Sequence, residues 1–367
     1  MNKLMYFFFF FRRTFLAVGE DVCLILEFQM KCHLILSPSL VLFFFFFSFL
    51  GNTDKSMNIT NYSIVSEFVL LGLCTSRPMQ HFLLSCSTIL YISIVLGNLL
   101  VVFIVIFDLR LHSPMYLLLA NLSFIDLCLS TLTVPKMISD LYSGQNTISF
   151  QGCVFQIFML HVLGGSEMVL LIAMAFDRYL AICKPLHYLT IMSPRMCILL
   201  LVGAWIIGVI HSVAQLAFVV HLHFCCPNKI DSFYCDLPRF IKLSCRDTFK
   251  MEFIVTANSG FISMGTFLLL IFSYIFILVT VWKHSSNDLS KALFTLSAHI
   301  TVVVLFFGPT IFIYVWPFPT VPVDKFLAVL DFLVTPILNP AIYTLRNKDM
   351  KMAMRRLNSQ LLSLRKI

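Results

Sequence analysis

Long, nearly uninterrupted apolar runs fill the chain from about residue 82 onward. Leu83 to Ile106 has no charged side chain, and in Cys197 to Val220 only His211 titrates near neutral pH. A helix needs roughly 20 residues to cross an apolar core about 30 Å thick, so each run is long enough to span a membrane. Lipid offers no partner to a backbone N–H or C=O, so such runs must be helices that satisfy their own polar groups. Seven spans follow, at roughly 82–106, 114–138, 153–176, 196–219, 253–281, 292–316 and 324–344. The expected fold is an all-α membrane protein, a seven-transmembrane helix bundle. Beyond it, Met350, Met354, Leu357 and Leu361 recur at helical intervals between Lys351, Arg355 and Arg356. That spacing predicts a short C-terminal amphipathic helix on the inner membrane face; a solvated basic tail is the competing reading.

Composition agrees. Of 367 residues, 59% are hydrophobic and 12% charged, about half the charged share of a soluble domain. The net charge of +8 does not imply nucleic acid, because the basic residues flank the apolar spans. Arg110, Lys184, Arg195, Lys283 and Lys291 fall on the same side as the terminal group Arg346, Lys348, Lys351, Arg355, Arg356, Arg365 and Lys366. The 139–152 connection opposite has no Lys or Arg. By the positive-inside rule, the tail is cytoplasmic and the segment after Met57 is extracellular, as expected for a multi-pass plasma-membrane protein. Glycosylation sequons at Asn58 and Asn61 lie in that outer segment.

Residues 1–56 differ in character, with homopolymeric tracts Phe7–Phe11 and Phe43–Phe47. They are read as a Phe-rich extension produced upstream of the true start at Met57. The rival reading is a signal or anchor segment at about 34–50, although no small-residue cleavage site stands out. The expected organisation is then 57–81 as extracellular N-terminus, 82–344 as the transmembrane domain and 345–367 as cytoplasmic tail.

Met174-Ala175-Phe176-Asp177-Arg178-Tyr179-Leu180-Ala181-Ile182-Cys183 closes the third span. A cation at a membrane boundary needs a partner, and Asp177 stands beside Arg178; releasing that pair would free the cation to meet an intracellular protein. A plain interfacial anchor is the alternative. Together with Leu111-His112-Ser113-Pro114-Met115-Tyr116, Ser273-Tyr274, Lys291-Ala292 with Thr295 and His299, and Pro336-Ile337-Leu338-Asn339-Pro340-Ala341-Ile342-Tyr343, this string resembles the odorant receptors, within the rhodopsin-like G-protein-coupled receptors. The resemblance runs from Met57 almost to the end. It implies a receptor for a small volatile, mostly apolar molecule that activates a stimulatory heterotrimeric G protein and raises cyclic AMP. Asp177, Arg178, Tyr179, Tyr274 and Tyr343 would form the coupling switch. The chain departs from the family pattern at Phe294, Leu296, Ala298 and Phe307, all in the sixth span.

The cysteines follow from the same resemblance. Cys225, Cys226, Cys235 and Cys245 crowd one loop, and spacing alone leaves their connectivity open. The family pattern pairs Cys153 with Cys235 and Cys225 with Cys245, leaving Cys226 over. Ligand-facing positions, carried over by matching, are Leu160, His161, Gly164 and Gly165 on the third helix, Asn258, Ser259 and Ile262 on the fifth, and Ile311, Tyr314 and Val315 on the sixth. No carboxylate stands at Leu160, where amine receptors carry one, which speaks against a charged amine.

Asn98, Asp126, Glu167 and Asn339 lie mid-span on four different predicted helices. A charge at the bilayer centre costs about 2.5–3.5 kcal/mol on insertion scales, so such groups face the bundle interior. Neighbouring carboxyls cannot both ionise without a cation. The expectation is one internal polar cluster holding a sodium ion or a shared proton; separate, individually bonded side chains are the alternative. No other cofactor is expected. A transporter is disfavoured by the absence of internal repeats. An enzyme is disfavoured because no His-Glu-x-x-His and no nucleophile with a nearby base appear.

Overall fold

A computed structural model describes residues 66–364, apart from 75, 218–221, 223, 225–227, 246–247, 285 and 316–322. The side chains of 109, 284–292, 294, 295, 298, 313–315, 343–346 and 360–364 also lie outside that description. Helices α1 (Arg77–Phe107), α2 (Pro114–Ser143), α3 (Phe150–Cys183), α4 (Pro194–Leu216), α5 (Phe249–His284) and α6 (Ser286–Val315) follow in order. Helix α7 is continuous but composite: Val323–Val329, a π-helical stretch Leu330–Val334, then Thr335–Arg346. Helix α8 (Lys348–Leu364) ends the described chain.

Helices α1 to α5 and α7 are long and apolar enough to cross a membrane, and α6 has a shorter apolar segment, His299–Phe312. The seven-helix bundle expected from the apolar runs is present. Its helices overrun the predicted spans by several residues because local caps let them continue beyond the apolar stretch. Ser149 Oγ accepts from Gly152 N at 3.1 Å to start α3, and Ser193 Oγ accepts from Met196 N at 3.4 Å to start α4. Pro114 and Pro194 stand in the first turn, where a missing N–H costs nothing. Gly144, with φ of 70°, ends α2 in the left-handed conformation that glycine adopts without strain.

Burial sorts the helices. Helices α2 and α3 bury 67% of their apolar windows, against 28% for α1 and 22% for α5. The first two are the core of the bundle, and the others turn large apolar side chains such as Phe82, Phe261 and Phe272 outward, as a lipid-facing surface requires. Helix α3 contacts α2, α4, α5 and α6, while α7 closes the ring against α1, α2 and α6.

Close approach of α3 and α4 depends on small residues. A Cβ on Gly208 would lie 2.4 Å from Val162 O and 2.9 Å from Ser166 N. A Cβ on Gly165 would lie 3.1 Å from Gly208 Cα. With the backbones this near, Ser212 Oγ donates to Phe158 O at 2.8 Å.

The all-α fold class holds, with one small addition outside the bundle. Three short strands, β1 (Glu67–Leu70), β2 (Thr147–Ser149) and β3 (Lys229–Ile230), form a sheet in the order β2-β1-β3 at one end of the bundle. Strand β1 runs antiparallel to β2, pairing Glu67 with Ser149, and parallel to β3, pairing Val69 with Lys229. Buried Phe68 anchors it against Phe150, Phe224 and Phe240, at ring-centroid distances of 6.2, 5.7 and 5.2 Å. Strands of two to four residues are too short to leave a period in the sequence.

The opposite end carries α8, whose amphipathic pattern is matched by buried Met350 and Ala353 and exposed Lys351. Asn347 Oδ1 caps it, accepting from Asp349 N at 2.8 Å and Met350 N at 3.2 Å. Arg356 Nε and Nη2 donate to Asp108 Oδ2 at 2.9 and 2.5 Å, pinning α8 to the α1–α2 connection. Partial burial pushes the Asp108 carboxyl up, but the hydrogen bonds and charges of Arg356 and Arg110 together outweigh it, and the group lies below its ordinary pKa.

Gly208→Leu is expected to abolish the folded chain, seen as loss of surface expression and of a thermal transition in detergent. The new side chain meets backbone atoms that cannot move aside. Gly203→Leu, at a position with open space around it, should leave both readouts unchanged.

Candidate functional site

Proline dictates the polar interior of α7. Each proline lacks an N–H, so the carbonyl four residues earlier loses its helical partner, and in lipid that loss must be made good within the protein. Pro340 frees Pro336 O, which accepts from Asn98 Nδ2 of α1 at 2.8 Å. Pro336 frees Phe332 O, which accepts from Ser130 Oγ of α2 at 2.8 Å. The π-helical stretch lies just before, with Thr335 N donating to Leu330 O five residues back.

Asn339 Nδ2 donates to both carboxyl oxygens of Asp126, at 3.1 and 3.0 Å. The expected four-membered polar cluster is therefore divided. Asp126 and Asn339 bond directly, Asn98 serves the bare carbonyl instead, and Glu167 reaches neither. Glu167 is fully buried, and its Oε1 has no hydrogen-bond partner among the described residues. It shares a cavity wall with Asp126 and with Asp331, a third carboxyl outside the expected set. Among the described residues, no three His, Cys, Asp or Glu side chains converge to hold a metal ion.

That cavity, about 130 Å³, lies between α2, α3, α4, α5, α6 and α7. Of the expected ligand-facing residues, Leu160, His161, Gly164, Gly165 and Ser259 line it. Gly164 leaves open space, whereas Gly165 is the contact point with α4. Asn258 and Ile262 do not line the cavity: both are exposed. On a helix, each residue turns by about 100° from the last. The inward face of α5 is set by Ser259 and Ser263, four apart, and both line the wall. Ile311 does not reach it, and α6 presents Phe306 and Thr310 instead. The side chains of Tyr314 and Val315 lie outside the described residues. His211 and Thr335, not expected from the sequence, line it too.

The segment Tyr234–Leu237 covers one end of the cavity. Cys235 is disulfide-bonded to Cys153 in the first turn of α3, with Cα atoms 5.4 Å apart. Gln156 braces the same point: its Oε1 accepts from Cys235 N at 2.8 Å and its Nε2 donates to Leu132 O at 2.7 Å, beside Pro135 of α2. Cys245 is also disulfide-bonded; its expected partner Cys225, and Cys226, lie outside the described residues, as do Asn58 and Asn61. Two ion pairs tie this cover to the start of α7. Arg239, buried, pairs with Asp324, and Lys325 Nζ pairs with Asp231 Oδ1 at 2.5 Å.

At the α8 end, Asp177 holds two partners. Its Oδ2 accepts from Arg178 Nε at 3.0 Å and Nη2 at 2.5 Å, and its Oδ1 accepts from Tyr188 Oη at 2.7 Å. Tyr188 belongs to the one-turn helix Tyr188–Ile191 between α3 and α4. Burial, then the adjoining carboxylate, keeps its phenol above the ordinary tyrosine pKa, so it stays a donor. Tyr179 stacks obliquely on Phe276, centroids 5.9 Å apart, and buried Tyr274 lies 6.3 Å from the His299 ring. The Tyr343 side chain is outside the described residues.

A family model described as olfactory receptor matches residues 87–361. The chain is 62% identical to human Olfactory receptor 4F15 over 311 residues, 85% of this chain and 100% of that protein. It is equally similar to human Olfactory receptor 4F6 over the same shares. It is 57% identical to human Olfactory receptor 4K15 over 306 residues, 83% of this chain and 94% of the relative.

Arg239→Glu is expected to destabilise the chain by about 3–5 kcal/mol, the cost of stranding one member of a buried pair, read as a lowered thermal transition in detergent. Adding Asp324→Arg should recover part of that loss. The recovery is partial because Asp236, 3.9 Å from Arg239, would face the new glutamate.

Proposed function

We propose that this chain, which belongs to the olfactory receptor family, takes up a small volatile, mostly apolar molecule and signals through a stimulatory heterotrimeric G protein, raising cyclic AMP. The observation that carries the reading is the covered cavity among the helices. Its volume of about 130 Å³ is close to the roughly 150 Å³ that admits benzene in an apolar protein interior. Leu129, Leu160, Met168, Phe306 and Phe332 supply apolar wall, as a site for compact, poorly soluble molecules requires.

In this reading, the sheet end faces outward and the α8 end faces the cytoplasm, in keeping with the basic flanks. Asp177 then holds Arg178 at the cytoplasmic boundary in the resting state, and ligand binding above favours a state in which Arg178 leaves it. Tyr188 strengthens the resting state by adding a second bond to the same carboxylate. A sodium ion or a shared proton at Asp126 and Glu167 offsets two of the carboxyls that line the cavity.

A cyclic AMP reporter with a broad odorant panel tests the reading. Wild-type chain should respond to some compact apolar members, and Arg178→Ala should lose the response with surface expression intact. Tyr188→Phe should raise ligand-free signal by about twofold to tenfold, as expected from losing a hydrogen bond of roughly 0.5–1.5 kcal/mol on the resting state alone. An Arg178→Ala response equal to wild type would remove the switch from the proposal.

A further inference from the structure

We infer that the cavity selects molecules carrying an O–H or N–H hydrogen-bond donor over otherwise similar ketones, aldehydes and ethers; this rests on the receptor reading above. The first ground is the tautomer of His161. Its Nδ1 lies 2.8 Å from Ile157 O. A carbonyl only accepts, so Nδ1 carries the hydrogen and the neutral ring presents Nε2 as a lone pair. Nε2 is buried without a hydrogen-bond partner among the described residues, and His161 lines the cavity.

The second ground is the rest of the polar wall. Asp331 Oδ1 and Glu167 Oε1 are also buried without such a partner, and both residues line the same cavity. The π-helical stretch sets Asp331 there, and local widening of a helix of this kind often marks a functional site. Ser263 Oγ and Thr335 Oγ1, likewise unpartnered and lining the cavity, can donate or accept. Among the described residues the wall therefore offers carboxyl groups, the His161 lone pair, adaptable hydroxyls and the His211 ring, and no Lys or Arg lines it. At His161 a carbonyl or ether oxygen brings only a second acceptor, so Nε2 stays unpaired whichever hydroxyl elsewhere on the wall that oxygen meets. A hydroxyl or N–H group fills the lone pair. Leaving a buried polar group unpaired costs more than the bond itself contributes, and sites of this kind discriminate strongly against analogues lacking the donor.

The size of the cavity restricts the molecule to a compact skeleton with one such head. The absence of a carboxylate at Leu160 bears only on one wall, since Asp331 provides a carboxyl from α7. Compact amines thus belong to the accepted class together with alcohols and phenols.

The test uses the full chain in a reporter cell with pairs that share a skeleton: cyclohexanol against cyclohexanone, phenol against anisole, benzyl alcohol against benzaldehyde, and cyclohexylamine against cyclohexane. Half-maximal concentrations of active donor members should be lower than those of their partners by at least about tenfold. In His161→Phe, with surface expression measured alongside, that gap should shrink. His161→Gln, whose side-chain oxygen can accept, should retain more of it. Ketones, aldehydes and ethers acting as well as their donor partners on wild-type chain would overturn the donor preference and leave the receptor reading intact. Silence of surface-expressed wild-type chain towards the pairs and the broad panel alike would overturn the receptor reading, and this inference with it.

Discussion

Inside lipid, every carbonyl that proline leaves bare has to be answered by another part of the protein, and in this bundle the answers hold the centre together. Asn98 reaches from α1 to Pro336 O, and Ser130 reaches from α2 to Phe332 O. Asn339, one residue before Pro340, turns to Asp126. These contacts join α7 to α1 and α2 at successive levels. Remove water as a competitor and each becomes a requirement of the α7 backbone or of a buried carboxylate, with no polar surface elsewhere to take its place.

The cavity depends on that fastening. Asp331, Phe332 and Thr335 line it from the part of α7 that the prolines loosen and Ser130 steadies. On the far side, close contact between Gly165 and Gly208 draws α3 and α4 together and sets His161 and His211 with ring centroids 5.8 Å apart. Gln156 then ties Leu132 of α2, one turn before Pro135, to Cys235 in the cover. The wall, the proline-containing segment of α7 and the cover are therefore joined by a small set of polar contacts.

Much of this was readable from residue order. Apolar runs of membrane length fix the spans because a helix in lipid has few alternatives, and the amphipathic spacing of Met350 and its successors fixes α8. Motif matching located the α3 wall residues. On α5 it located Ser259 but also named Asn258 and Ile262, which lie on the outward face, and passed over Ser263; a phase error of one residue is enough, and hydropathy cannot resolve it in a mostly apolar helix. Asp331 was hidden for a related reason, since a π-helical turn shifts the helical phase. Tyr188 and the strands lie in connections, where partners are chosen by tertiary contact and leave no periodic signal.

The charges at the start of α7 have a further effect. Asp324 and Lys325 are neighbours of opposite sign, and each meets its complement on the covering segment, Arg239 and Asp231. Turning the helix by a single residue would bring lysine towards arginine in one sense, or aspartate towards aspartate in the other. The four groups thus behave as a keyed coupling: they admit one angular setting of α7 beneath the cover and oppose a one-residue turn either way, which keeps the rim of the pocket in register with the helix below it.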